Sequence, residues 1–157
     1  TGGIGLLKLS RECMILKETA VPLAIGVAVL ATAFSKKPLA KMIMLNDSVV
    51  DVAKIDAAVE ASGMRGKYEA SLRTATFRVA ASFLLSAALN FALASLIFKS
   101  PPGTEEFNAE VGRMTALSFP VIALPTMVVF VWAMCKFFSA LTECTGLKLE
   151  DVVAKDS

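Results

Sequence analysis

The chain has 157 residues, of which 55% are apolar, 16 basic and 14 acidic, with a mean hydropathy of +0.65. Two excess positive charges are too few for a nucleic-acid binder, and three long charge-free windows exclude an ordinary soluble domain. The chain has no histidine, which excludes Ser-His-Asp and Cys-His nucleophiles, and any His-ligated zinc or haem site built from this chain alone.

The opening run, residues 1–7, reads as the end of an earlier apolar segment, so further sequence is expected upstream of Thr1. No signal-peptide pattern is present. The first charge-free window covers 17 residues, 19–35, and Met14, Ile15 and Leu16 precede it, which predicts a helix over about 14–35. Pro22 falls near its start, where a proline is tolerated. Lys36, Lys37 and Pro38 stop it.

A polar, amphipathic stretch follows. Ser48 with Asp51 three residues on resembles a capped helix start, and Val52, Ile55 and Val59 fall at helical spacing. A short amphipathic helix is expected over about 49–61, ended by Ser62 and Gly63. Its polar face is mainly acidic (Asp51, Asp56, Glu60), which suits packing or docking on protein better than lying on anionic lipid.

The second window, 79–98, holds 20 residues without a charge between Arg78 and Lys99. At 1.5 Å per residue it covers about 30 Å, the hydrocarbon thickness, so a helix over about 77–98 is expected to span. Pro101, Pro102 and Gly103 then signal a turn. Thr104 and the acids after it start a short solvated helix. Glu106 and Glu110 share a face of it, but paired carboxylates in a solvated loop make a weak acid/base site.

The third window, 114–135, has 22 residues without a charge and continues past Lys136 to Leu141, predicting a helix over about 114–141. Pro120 and Pro125 predict a kink or local unwinding within it. Trp132 lies well inside the window rather than at its edge. Arg78 and Lys136, at the window ends, can snorkel to headgroups. The cysteines, Cys13, Cys135 and Cys144, form no C-x-x-C pair, and their odd number argues against a closed disulfide framework.

Charge asymmetry orients the spans. Residues 35–78 carry eight basic residues, whereas the loop 99–113 carries two, at its ends. The longer stretch and the C-terminus are therefore expected to be cytoplasmic.

Two stripes of small and polar residues stand out. Ser82, Ser86, Asn90 and Ala94 share a face of the second helix, and Ala24, Ala28 and Thr32 share a face of the first. Small residues let helices approach closely in lipid, and an amide in mid-helix needs partners. Helix packing is the expected role. A polar path past Asn90 is the alternative.

The segments Leu89 to Ala94, Glu106-Phe107-Asn108, Gly112 to Thr115 and Pro120 to Pro125 together resemble the intracellular septation protein A-like family of bacterial inner-membrane proteins. The resemblance implies a small polytopic protein with more helices at its N-terminus. It suggests a link to division or envelope maintenance and supplies no catalytic motif. It marks Asn90, Asn108 and Arg113 for a structural or interaction role.

The expected fold is an all-α polytopic membrane helix bundle forming one domain, with three transmembrane helices and a short amphipathic cytoplasmic helix. The expected function is that of a non-catalytic accessory or scaffold subunit of the bacterial inner membrane, acting by helix–helix association with other subunits or itself. No cofactor, metal or nucleic acid is expected. The candidate interaction residues are Ser82, Ser86, Asn90, Ala94, Asn108, Arg113, Pro120 and Pro125. The alternative is a small-solute transporter or channel component with a polar site near Asn90 and the Pro120/Pro125 kink. A lipid-processing enzyme would have to use Glu105, Glu106, Glu110 and Arg113.

Overall fold

The computed structural model describes residues 11–48 and 50–153, so the opening apolar run and Val49 lie outside the described residues. The described chain is helical, without a named strand: α1 (Arg11–Ala31), α2 (Leu39–Met44), α3 (Val52–Ser62), α4 (Arg65–Ile97), α5 (Glu105–Ser118), a π-helical turn (Phe119–Ala123), α6 (Leu124–Thr145) and α7 (Leu149–Val152). Three helical stretches are long and apolar enough to cross a membrane: Arg11–Ala31, Arg65–Ile97 and the continuous Glu105–Thr145. This is the chain of three spanning helices and one amphipathic helix that the hydropathy pattern predicts.

The boundaries differ from the expected ones in instructive ways. The first helix ends at Ala31, and the next residues make tighter turns in which the Thr32 hydroxyl donates to the Val29 carbonyl and accepts the Leu39 N–H. The second begins at Arg65, well before the apolar window. At 33 residues it runs about 50 Å, longer than a bilayer's hydrocarbon core. The solvated helix expected after Thr104 and the third span form one rod of 41 residues. Its start is capped by the Thr104 hydroxyl, which accepts from the Phe107 N–H at 3.1 Å.

The two prolines do not break this rod. Pro120 lies within the π-helical turn, and the Leu124 N–H reaches the Phe119 carbonyl, five residues back. Pro125 stands at the second position of α6. The wider turn absorbs both residues that lack an N–H without opening the helix.

The amphipathic helix begins at Val52, and its cap is Asp51 rather than Ser48. The Asp51 carboxylate accepts the Lys54 N–H at 2.9 Å, while the Ser48 N–H goes to the Asn46 side chain. Gly63 ends α3 in the left-handed region at φ 67°, which glycine enters without a Cβ penalty.

Two compact units emerge. The described part of the first comprises residues 11–27 and 81–128. Its core joins Leu93, Ala94 and Phe98 to Phe107, Met114 and Ile122, with Met14 and Ile15 packed against them. Phe98 and Phe107 stack with centroids 5.6 Å apart.

The described part of the second comprises 28–48, 50–80 and 129–153. Here the apolar face of α3, Ile55 and Val59, is buried. Alongside it, α7 is held by the Asp51 N–H donating to the Val152 carbonyl at 2.7 Å and by Lys54 Nζ donating to the Asp151 carbonyl at 2.5 Å. Lys41 pairs with Asp56 of α3 at 3.1 Å, and Tyr68 packs near Phe137. The amphipathic helix therefore packs on its own unit.

Candidate functional site

The stripe on α4 faces inward. Ser82 and Ala94 are buried, while Ser86 and Asn90 are half-buried. The Asn90 amide donates to the Ser86 carbonyl at 2.9 Å, one turn back on the same helix. A second, longer contact of 3.4 Å reaches the Ser86 hydroxyl. The amide in mid-helix is thus partnered by its own helix, in the way Ser and Thr hydroxyls often bond one turn back. Ala94 belongs to the core of the first unit beside Phe98 and Phe107.

The stripe on the first helix is divided: Ala24 and Ala28 are exposed, whereas Thr32, just past the end of α1, is half-buried; the buried residues of α1 on this stretch are Gly26 and Val29. Gly26 lies against α4: a Cβ added there would sit 3.1 Å from Leu84 Cδ2 and 3.2 Å from Phe83 Cβ. Sequence reading did not single out Gly26. A glycine inside an apolar span, where it costs helix propensity, is itself a signal of close helix approach.

The remaining candidates lie on the surface. Asn108, Arg113, Pro120 and Pro125 are all exposed and do not converge on Asn90 in any described contact. The two carboxylates of the 105–113 segment have separate surroundings. Glu110 binds the chain that leaves α4: its oxygens accept the Lys99 N–H at 3.0 Å, the Ser100 N–H at 3.1 Å and the Ser100 hydroxyl at 2.9 Å. Glu106 is exposed. Glu110 thus closes the Pro-Pro-Gly turn, a role that its spacing from Glu106 did not suggest.

Beside the N-terminal end of α1, an apolar cavity of ≈ 690 Å³ is lined by Ile15, Leu16, Thr19 and Phe91, with Arg11 and Glu12 at its edge. The Arg11 guanidinium donates to the Ser95 carbonyl there at 3.3 Å. Among the described residues, no group of three or more Cys, Asp or Glu is placed to hold a metal ion. Cys13 and Cys135 are exposed, and Cys144 is buried among apolar residues of α6.

Most of the exposed large apolar residues lie on α1 and the 105–145 helix. Only 11% of the apolar window of α1 is buried, and the same share holds for the 105–145 rod, against 33% for α4. Val21, Leu23, Val27, Met127, Val128 and Trp132 are among the exposed residues. Such a surface is stable only where lipid or another apolar helix replaces water.

Comparison with family models, with curated proteins and with solved structures returned no significant match to this chain.

Proposed function

We propose that the chain is a non-catalytic membrane protein that acts by helix–helix association, as an accessory or scaffold subunit of a bacterial inner membrane. In this reading residues 35–78 face the cytoplasm, on the strength of their basic residues, and three spans then place the C-terminus on the same side. The link to septation or envelope maintenance rests on the family resemblance of the 89–125 segment.

The observation that carries the reading is the outer face of α1. Its small residues, Ala24 and Ala28, are exposed one turn apart, while the helix meets its own unit through Gly26 on a different face. In lipid the hydrophobic effect does not draw helices together, and close backbone approach along small residues does much of that work. An apolar helix with 11% of its window buried has ample surface for a second helix.

Gentle-detergent copurification with mass spectrometry tests this. The expected result is a stoichiometric protein partner, or a second copy of the chain, that is lost in the Ala24→Leu/Ala28→Leu variant. Recovery of a monomer carrying a bound small solute would overturn it and favour transport past Asn90.

A further inference from the structure

The second unit contains a cationic cavity that the association reading does not use. It has a volume of ≈ 300 Å³ and lies between the 67–78 segment of α4 and the 136–140 segment of α6. Lys67, Arg78 and Lys136 line it together with Ser71 and Thr74, and Ala70 and Ala140 are among its apolar lining residues. No carboxylate lines it.

Each cation is held differently. Lys67 pairs with exposed Glu143 at 3.3 Å. Arg78 is braced by the face of Trp132, its guanidinium carbon 4.9 Å from the ring centroid. A ring face orients a guanidinium while leaving its in-plane N–H groups free to donate. Lys136 has no ion pair or hydrogen bond among the described residues, and neither has the Ser71 hydroxyl. Two cations and a hydroxyl donor therefore face one cavity with their hydrogen-bonding capacity unspent.

Depth identifies the ligand class. Arg78 is the last charge before the apolar window 79–98, and Lys136 is the first charge after the apolar window 114–135. Both therefore stand where hydrocarbon gives way to headgroups. A planar guanidinium with a lysine ammonium matches a phosphodiester oxygen pair, and the alanines beside them, Ala70 and Ala140, suit the glycerol and upper acyl carbons of a lipid.

We infer that the cavity between α4 and α6, centred on Arg78 and Lys136, is a binding site for the phosphate headgroup of an anionic phospholipid. It is distinct from general snorkelling, in which every interfacial cation serves equally. Lys36 and Lys37, which follow α1, are exposed and line no part of this cavity, and so supply the control.

The test is native mass spectrometry of the full chain released from nanodiscs of mixed phosphatidylglycerol and phosphatidylcholine. The wild type is expected to retain phosphatidylglycerol preferentially. Arg78→Gln and Lys136→Gln should each reduce that preference about fivefold, the contribution of one basic residue at an anionic surface. Lys136→Arg should keep it, and Ser71→Leu, which fills the cavity and leaves the charge unchanged, should lower it. Lys36→Gln and Lys37→Gln should leave it intact. Equal losses from all four Gln variants would overturn the site in favour of diffuse attraction. Displacement of the lipid by inorganic phosphate at comparable concentration would overturn it in favour of a soluble anion.

Discussion

The guanidinium of Arg78 lies over the ring of Trp132, 54 positions away in the chain, at 4.9 Å from its centroid. The pair joins α4 to α6 where both leave the apolar windows. Trp132 is therefore anchored although it sits inside its window by sequence count.

Trp132 is the only tryptophan, so its fluorescence reports this one contact. Arg78→Gln is expected to shift its emission and to lower unfolding stability by about 1 kcal/mol, the scale of a partly exposed cation–π pair. Trp132→Leu should cost a similar amount. An unchanged emission spectrum in Arg78→Gln would show that the two side chains do not meet in lipid.

Gly26 and Gly112 should respond in opposite directions to the same substitution. A Cβ at Gly26 meets Leu84 and Phe83 at 3.1–3.2 Å, so Gly26→Ala obliges both side chains to give by a few tenths of an ångström and should cost about 1–3 kcal/mol. At Gly112 a Cβ meets nothing within 4 Å, and Gly112→Ala should stabilise α5 by about 0.5–1 kcal/mol. Thermal unfolding of the two variants in one detergent decides it. Stabilisation by Gly26→Ala would contradict the close approach.

Glu110 governs the exit from α4. Glu110→Ala removes the acceptor of the Lys99 and Ser100 N–H groups, and hydrogen exchange at those two amides should accelerate while that of the α4 interior stays unchanged. Unaltered exchange at Lys99 and Ser100 would mean that the turn is held by something else.

Ile55 is fully buried in the second unit. Ile55→Ala should cost about 2–5 kcal/mol and expose the segment around α7 to proteolysis, since α3 and α7 share backbone and lysine contacts. Lys54→Gln, which removes only the contact to the Asp151 carbonyl, should have a smaller effect in the same direction. Full resistance to protease in Ile55→Ala would separate α7 from α3.

The spans were legible because charge-free length is a strong one-dimensional signal: all of 114–135, and 79–98 up to Ile97, stand inside helices of the structure. The early start of α4 was missed although a signal was present: Tyr68, Leu72, Ala75 and Val79 recur at helical spacing and are buried, but the Lys, Arg and Glu among them end the charge-free window at Val79. On α1 the regular Ala24 to Thr32 spacing pointed to a packing face, yet the inward face carries Gly26, because steric fit rather than spacing selects it. Asn90 was expected to need a neighbour and found its acceptor at Ser86, one turn back. The Arg78–Trp132 and Glu110–Ser100 contacts depend on pairing across the chain, which a single sequence does not encode locally.

The π-helical turn has a consequence for which changes of chain length this protein can tolerate. From Met114 to Ile122 an uninterrupted α-helix would advance about 80° beyond two full turns. The wider turn advances less per residue, and both side chains reach the same core as Phe107. The segment 119–123 thus behaves as a one-residue phase adjuster. Exchanging one apolar residue for another there should be borne lightly, whereas deleting a single residue would rotate Ile122 away from Met114 and Phe107. At this place the number of residues carries more information than their identity.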